Sequence, residues 1–256
     1  MTKHPDVVVL ADADNTLWDT DARFAKAQLR LLDVIELHVD TTCEASDRLG
    51  FVRAYDQAVA KEHHLHLRYP VWMLAEALAM GLRGDEPEKT AKALVHRSES
   101  SAVLPEAARN DAIQAFTSTL STIPELLPGV VEGLELARAR GATVYVVTEG
   151  NAEAQRNILK HHALSELITG VSEVTKNEAQ FARIRKRYGN SDIAMIGDQP
   201  SRDIAPAHAA GCTTVLVPSR FRPAWDSFDE RGDADYVAID FMHAMRWVLS
   251  RADSVH

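Results

Sequence analysis

The chain has 256 residues, 46% of them hydrophobic, and its 28 basic and 37 acidic side chains give a formal net charge of −9. This length and composition allow a substantial core, so we expect one large or two modest folded domains rather than disorder. The excess of negative charge leaves no broad basic surface for a nucleic-acid backbone, so a small molecule is the expected partner.

Cysteine content and the longest apolar stretch narrow the class of protein further. Cys43 and Cys212 cannot form a disulfide framework or a CxxC metal site. We expect two buried thiols, although a bond between them stays open. The longest nearly apolar stretch, residues 71–82, contains Glu76 and is too short to span a bilayer. No apolar leader follows Lys3, so we expect a cytoplasmic protein with no membrane partner.

In chain order, short β-branched and nearly continuous apolar runs predict strands at residues 7–11, 143–148, 167–171, 193–197, 213–217 and 236–239. Continuous apolarity, rather than alternation, is typical of parallel strands that helices cover on both faces. Segments with helical spacing separate several of these runs, at residues 129–141, 152–164, 178–189 and 202–211. The sequence therefore predicts an α/β domain built on a parallel sheet.

The interval between the first two strands, about residues 20–123, contains no strand pattern. Its segments predict helices at residues 20–38, 47–64, 69–80, 87–100 and 105–120. An insertion of roughly 100 residues is too long for a loop and predicts a second, covering domain. The expected division is a core of residues 1–19 and 124–256 and a helical domain of residues 20–123.

The first predicted strand ends in two carboxylates, Asp12 and Asp14. Open parallel sheets bind ligands at the carboxyl ends of their strands, where a carboxylate pair can hold a cation. The alternative is that Asp14, Asn15 and Thr16 only cap the following helix, because all three residue types favour that position. Other polar residues in the chain bear on this choice.

Three further polar sites follow later in the chain. The second strand ends in Thr148, the fourth is followed by Asp198 with Asp203 five residues on, and Lys176 lies between them. An alternative interpretation of Asp198 and Asp203 is a turn followed by favourable negative charge at the start of a helix. The chain thus adds a hydroxyl, a lysine and a second acidic pair to the first pair.

These motifs resemble the signature of the haloacid dehalogenase superfamily, which is DxDxT, a strand-terminal Ser or Thr, a Lys, and GDxxxD or GDxxxxD. Here the motifs appear in the same order as Asp12-Ala13-Asp14-Asn15-Thr16, Thr148, Lys176, and Gly197-Asp198 with Asp203. The resemblance covers residues 7–17 and about 128–249 of the core. It implies a Rossmann-like parallel sheet with helices on both faces and an inserted, all-helical cap of the C1 type.

The resemblance implies a Mg²⁺-dependent phosphatase that acts on a small phosphorylated metabolite. Asp12 would be the nucleophile and a metal ligand. Asp14 would offer its backbone carbonyl to the metal and serve as general acid and base. Asp198 would supply the other metal carboxylate, and Asp203 would either orient these groups or bind the metal through a water molecule.

Other residues would contact the phosphate. By resemblance, Thr148 would donate a hydrogen bond to a phosphoryl oxygen, and Lys176 would offset negative charge. Glu149 and Gly150 are further candidates for substrate binding, although the family often has Asn-Gly at these positions. Lys176 is followed by Asn177 instead of the frequent proline. These departures concern the subfamily rather than the chemistry.

Two other functions stay open on the sequence. Dehalogenases of the same family attack carbon and lack an acid at the position of Asp14, so Asp14 favours phosphoryl transfer. A binding protein that keeps the fold without turnover is the second alternative, although every charged or hydroxyl role of the motifs is filled. The motifs do not identify the substrate, and they leave open whether the chain is a monomer or a homodimer.

Overall fold

The computed structural model describes residues 7–96, 103–189, 191–220 and 232–255. The described strands are β1 (Val7–Ala11), β2 (Thr143–Thr148), β3 (Gly170–Glu173), β4 (Asp192–Gly197), β5 (Thr213–Leu216) and β6 (Tyr236–Val237). The described α-helices are α1 (Thr20–Val39), α2 (Arg48–Glu62), α3 (Val71–Gly81), α4 (Pro87–Val95), α5 (Glu106–Leu120), α6 (Val130–Ala139), α7 (Ala152–His161), α8 (Glu178–Tyr188), α9 (Ala205–Ala209) and α10 (Phe241–Val255). A 3₁₀ turn (His66–Arg68) precedes α3, and a π-helical turn (Pro200–Ile204) precedes α9.

Within the described part of the chain, one sheet has six parallel strands in the order β3-β2-β1-β4-β5-β6. The chain adds strands on one side of β1 as far as β3 and then on its other side from β4 onward. The switch point therefore lies between β1 and β4, where open α/β sheets form a crevice at the carboxyl ends of their strands. The predicted α/β fold with a Rossmann-like parallel sheet is confirmed.

The central strand β1 is buried along its whole length because helices cover both faces of the sheet. Val7, Val9 and Ala11 pack into a core cluster that includes residues of α6, α7 and α10. Val8 and Leu10 belong to a second cluster, which includes residues of α8 and α9. This alternation between two apolar clusters explains why the run is continuously hydrophobic.

Several predicted elements differ from the structure. The third predicted strand, residues 167–171, is observed at Gly170–Glu173, because a turn in which the N–H of Leu167 donates to the carbonyl of Leu164 precedes it. The predicted helix at residues 202–211 is a π-helical turn followed by the short helix α9. The later part of the predicted helix 87–100 lies beyond α4, and residues 97–100 fall outside the described residues.

The helix α10 is not predicted from the sequence. Asp240 precedes it and accepts the N–H of His243 at 2.8 Å, which is an N-cap contact. Phe241, Met245 and Val248 then lie on one buried face that packs against the sheet core. Both the cap and the apolar spacing are present in the sequence, so this helix could have been recognised.

Contacts divide the chain into two compact units. Of the described residues, the first contains 7–20, 123–189, 191–220 and 232–255, with the sheet and helices α6 to α10. Of the described residues, the second contains 21–96 and 103–122, with most of α1 and the helices from α2 to α5. Its apolar core includes Leu31, Leu32, Ile35, Val59 and Leu78. Each unit thus has a hydrophobic core of its own.

The structure also describes the two cysteines and the character of the helices. Both cysteines are free thiols, with Cys43 half-buried and Cys212 buried. Burial raises the pKa of Cys212 to about 11. Among the described residues, none of the helices combines the length and the apolar character that a membrane span requires.

Candidate active site

Asp12 lies at the switch point of the sheet because it continues strand β1 by one residue. Its backbone N–H donates to the carbonyl of Ile196 in β4 at 2.9 Å. Asp198 follows the end of β4, the neighbouring parallel strand. The two carboxylates therefore emerge at the same edge of the sheet, as expected for residues that follow adjacent parallel strands.

The segment that follows β1 is a tight turn rather than a helix cap. The N–H of Leu17 donates to the carbonyl of Ala13 at 2.9 Å, and Asn15 adopts a left-handed conformation with a φ of 59°. Asparagine tolerates this conformation better than most residues. Helix α1 begins only at Thr20, beyond the turn. The interpretation in which these polar residues serve only as caps is therefore wrong.

Three buried carboxylates meet beyond β1 and β4. A carboxylate oxygen from each of Asp12, Asp198 and Asp203 lies within 4.8 Å of the others, and the three residues are 5%, 4% and 0% exposed. The Oδ1 atom of Asp198 is buried and has no hydrogen-bond partner in the described part of the chain. A buried carboxylate oxygen without a partner is unfavourable, so this all-oxygen cluster fits a hard cation.

The ammonium group of Lys176 lies between two of these carboxylates. It donates to Oδ1 of Asp12 and, at 2.6 Å, to Oδ1 of Asp203, and its side chain is 6% exposed. When all four groups are ionised, three carboxylates and one ammonium leave two negative charges in a buried space. A divalent cation would neutralise them.

The pKa values of the cluster reflect the same imbalance of charge. Burial raises the pKa of Asp12 to about 7, with Lys176 opposing the shift and Asp203 adding to it. Burial, together with the charges of Asp12 and Asp203, raises the pKa of Asp198. Burial alone would lower the pKa of Lys176, but the two carboxylates that it contacts outweigh burial and raise it. A bound cation would favour the ionised carboxylates.

Asp203 is held from two sides. Its Oδ1 accepts Lys176, and its Oδ2 accepts the N–H of Gln199 at 3.0 Å. Gly197 lies directly against this side chain, since a Cβ atom at residue 197 would be 2.5 Å from the Cβ and Oδ2 of Asp203. The glycine of the GDxxxxD motif is therefore required by a close approach rather than by a special backbone conformation.

We expect Gly197→Ala to lower the free energy of unfolding by about 1 to 3 kcal/mol, because the added methyl group overlaps the buried Asp203 side chain. Urea unfolding measures this change. Gly170→Ala is the matched control in strand β3, where an added Cβ would meet the Tyr145 ring only at 3.4 Å. Equal losses in the two variants would contradict the proposed overlap.

The carboxylate of Asp14 has partners different from those of the buried cluster. Its Oδ1 accepts the indole N–H of Trp18 at 3.3 Å and the hydroxyl of Thr20 at 2.5 Å. Its Oδ2 accepts the side-chain amide of Gln155 at 3.1 Å. Trp18 is fully buried, so the indole is a fixed donor. The orientation of Asp14 is thus determined by three donors.

Thr148 ends strand β2 and is buried. Its Oγ1 accepts the N–H of Gly150 at 2.9 Å, so its hydroxyl proton is available to donate to another group. A Cβ atom at residue 150 would lie 3.3 Å from this Oγ1 and 3.4 Å from Nε2 of Gln155. Glycine therefore keeps the space between Thr148 and Gln155 open.

Glu149 connects three segments of the site. Its Oε1 accepts the backbone N–H of Lys176 at 3.1 Å, and its Oε2 forms an ion pair with Arg202 of the π-helical turn. Burial acts to raise the pKa of Glu149, but the hydrogen bonds from Lys176 and Arg202 outweigh burial and lower it. Both oxygens of this carboxylate therefore have protein partners.

The structure brings the predicted site residues together in two neighbouring groups. One group contains Asp12, Lys176, Asp198 and Asp203, and the other contains Asp14, Thr148 and Gly150, with Glu149 bonded to the backbone of Lys176. Gln155 and Arg202 are not predicted as site residues. The contact of Gln155 with Asp14 joins positions 141 residues apart, and nothing local in the sequence of α7 indicates it.

Buried carboxylates and a lysine at the carboxyl ends of parallel strands form a site that suits a hydrolase. Comparison with known protein sequences agrees with this class of enzyme. Residues 7–211 match the family described as haloacid dehalogenase-like hydrolase. The matched range contains all four motifs. The chain therefore belongs to the haloacid dehalogenase-like hydrolase family, and the resemblance inferred from its motifs is confirmed.

Individual relatives define the similarity more closely. The phosphoserine phosphatase of Thermus thermophilus is 32% identical over an alignment of 127 positions, which covers 46% of this chain and 50% of that protein. The match thus spans about half of the relative's length. A haloacid dehalogenase-like hydrolase from Xanthomonas campestris has a TM-score of 0.61 at 18% identity, covering 98% of this chain and 100% of that chain. A dehalogenase with an intermediate complex has a TM-score of 0.54 at 15% identity, covering 96% and 98%. These two structures share the fold alone.

Proposed function

We propose that this hydrolase is a Mg²⁺-dependent phosphatase that acts on a small phosphorylated metabolite through an aspartyl-phosphate on Asp12. The observation that carries the proposal is the buried Oδ1 of Asp198, which has no partner among the described residues and belongs to an all-oxygen cluster. Oxygen ligands of this kind suit Mg²⁺. Similarity to a phosphoserine phosphatase supports a phosphate ester as the substrate.

The cation would be held at the switch point of the sheet. Asp12 and Asp198 would supply carboxylate oxygens, and Asp14 would supply its backbone carbonyl. Asp203 has partners on both of its oxygens, so its proposed role is to hold Lys176 and the loop after β4 in place. When bound, the cation would screen Asp12 from the negative charge of a phosphate.

Asp12 is the proposed nucleophile. Its carboxylate oxygen would form a bond to phosphorus as the bond from phosphorus to the leaving-group oxygen breaks, so one difficult displacement becomes two easier ones. Thr148 would donate a hydrogen bond from its hydroxyl to a phosphoryl oxygen, because its Oγ1 already accepts the N–H of Gly150. Lys176 would offset part of the negative charge that gathers in the transition state.

Asp14 is the proposed general acid and base. It would protonate the departing alkoxide and then accept a proton from the water that attacks the phosphorus of the aspartyl-phosphate. An acidic group has this use in phosphate transfer but not in the displacement of halide from carbon. The presence of Asp14 therefore supports phosphatase activity over dehalogenation.

Phosphate release from a broad panel of phosphorylated metabolites tests the proposal. Phosphoserine is an obvious member of the panel, and each reaction is run with Mg²⁺ and with EDTA, beside halide release from small haloacids. We expect phosphate release that EDTA stops and that added Mg²⁺ restores. Halide release without phosphate release would support a dehalogenase, and bound but intact phosphate esters would support a non-catalytic binding protein.

The partner, the location and the oligomeric state of the protein stay predictions from the sequence. The proposed partner is a small phosphorylated molecule rather than nucleic acid or membrane, and the proposed location is the cytoplasm. Whether the chain is a monomer or a homodimer stays open. Sedimentation of the purified protein would distinguish these two states.

We expect Glu149→Ala to lower kcat on the best substrate by about tenfold, because the backbone at Lys176 loses the acceptor that fixes it. Glu149→Gln keeps an acceptor oxygen and loses only the charge pair with Arg202, whose side chain is 55% exposed. An exposed ion pair contributes little to stability, so this variant is expected to stay within about twofold of the wild type. Steady-state kinetics with both variants measure the difference. Equal activity of the two variants would contradict a positioning role for the acceptor.

A further inference from the structure

The surroundings of Asp14 include a buried polar atom without a partner. Gln155 is 5% exposed, and its Nε2 donates to Oδ2 of Asp14 at 3.1 Å. Its Oε1 is buried and finds no hydrogen-bond partner within the described residues. The reverse orientation of the amide would set two oxygens against each other, so Asp14 determines which end faces it.

An unpartnered buried carbonyl is unfavourable for folding, and an apolar side chain of similar size would avoid it. Gln155 thus makes one useful hydrogen bond, to Asp14, at the expense of stability elsewhere. Buried polar atoms without a hydrogen-bond partner concentrate at functional sites. The glutamine therefore calls for an explanation in terms of Asp14.

The two oxygens of Asp14 have different surroundings. Oδ1 faces the indole N–H of Trp18, a group that only donates, and also the hydroxyl of Thr20. Oδ2 faces Gln155, whose amide nitrogen donates to it at 3.1 Å. Gln155 therefore holds Oδ2 in position, while Trp18 and Thr20 hold Oδ1.

Oδ2 also faces the space beside the hydroxyl of Thr148, which is the proposed hydrogen-bond donor to the phosphate. A Cβ atom at Gly150 would lie 3.9 Å from this Oδ2, 3.4 Å from Nε2 of Gln155 and 3.3 Å from Oγ1 of Thr148. The absent side chain of Gly150 thus leaves one small space that these three groups border. A leaving-group oxygen bonded to a phosphoryl group held by Thr148 would be close to Oδ2.

We propose that Gln155 is a positioning residue for the acid and base steps, which holds Oδ2 of Asp14 toward the leaving group. This inference rests on the proposed phosphatase function. In the first step an oxygen of Asp12 bonds to phosphorus, the bond from phosphorus to the leaving oxygen breaks, and the proton of Oδ2 moves to that oxygen. In the second step a water oxygen bonds to phosphorus, its proton moves to Oδ2, and the bond between phosphorus and Asp12 breaks.

The test compares Gln155→Leu with the wild type on an alkyl phosphate and on p-nitrophenyl phosphate. The alkoxide needs a proton as it leaves, whereas p-nitrophenolate needs little. We expect kcat to fall about tenfold on the alkyl phosphate and less than about threefold on p-nitrophenyl phosphate, with KM within about twofold. The thermal midpoint is expected to stay level or rise, because the unpartnered carbonyl is gone.

Gln180→Leu, in the first turn of α8, is the matched control and should leave the ratio of the two rates unchanged. Gln155→Met is a second variant with an unbranched side chain in case the leucine packs poorly. Equal losses on both substrates, or a lowered midpoint with an unchanged ratio, would overturn the inference. Absence of phosphate release by the wild type would overturn the proposed function and this inference together, whereas wild-type turnover with an unchanged ratio in the variants would overturn the inference alone.

Discussion

Replacement of Asp12 by asparagine is expected to lower kcat by about 10⁴-fold or more, because a neutral amide cannot form the aspartyl-phosphate. Steady-state phosphate release on the best substrate of the panel measures the loss. The fold should persist, because Lys176 keeps its hydrogen bond to Asp203 at 2.6 Å and the buried cluster loses one of its negative charges. The thermal midpoint of the variant is therefore expected to lie close to that of the wild type.

The matched control for this prediction is Asp192→Asn. Asp192 is an exposed aspartate at the start of β4, the strand that ends beside Asp198. Its replacement changes the same functional group as in Asp12→Asn, but at the amino-terminal end of the neighbouring strand, where Asp192 pairs with Val7. We expect this variant to keep full activity. An Asp12→Asn protein that retained more than a small fraction of wild-type turnover would contradict covalent catalysis by Asp12.

Replacement of Asp14 by asparagine is expected to have a large effect that depends on the leaving group. An amide can keep some of the contacts with Trp18 and Thr20 but cannot deliver a proton. We expect kcat on an alkyl phosphate to fall by about 10² to 10⁴-fold and kcat on p-nitrophenyl phosphate to fall by much less. The ratio of the two rates is the measurement, and the aryl substrate serves as the internal control for folding and binding. Equal losses on the two substrates would remove Asp14 from the acid role.

The meeting of Asp12 with Asp198 could be predicted from the sequence in physical terms. Each follows a short apolar run, and such runs form parallel strands whose carboxyl ends share one edge of the sheet. The helical character of the interval between β1 and β2 was also readable from its spacing and turn signals.

The position of Lys176 could not be derived from spacing. It lies in a loop between β3 and α8, and the predicted third strand was displaced by several residues from the observed one. Only the resemblance to a known family indicated that this lysine belongs with the acidic residues. The ion pairs with Asp12 and Asp203 become visible only in three dimensions.

Local sequence patterns do not predict the contacts of Asp14 and Glu149. The contact between Gln155 and Asp14 depends on how α7 rotates against the sheet, which neither helix propensity nor periodicity specifies. Glu149 was predicted to bind substrate, and this stays a prediction. Its contacts with the backbone of Lys176 and with Arg202 give it a second, structural explanation that the motif alone did not suggest.

The central claim is that Asp12 carries the phosphoryl group during turnover, and trapping of the intermediate tests it most directly. The wild-type protein is mixed with its best substrate and Mg²⁺, quenched in acid, and reduced with borohydride, which converts a phosphorylated aspartate to homoserine. Peptide mass spectrometry then identifies the modified position. We predict homoserine at position 12 in the Mg²⁺ reaction and aspartate there in the EDTA reaction. Sustained phosphate release with unmodified Asp12, or with the modification on another residue, would contradict the account.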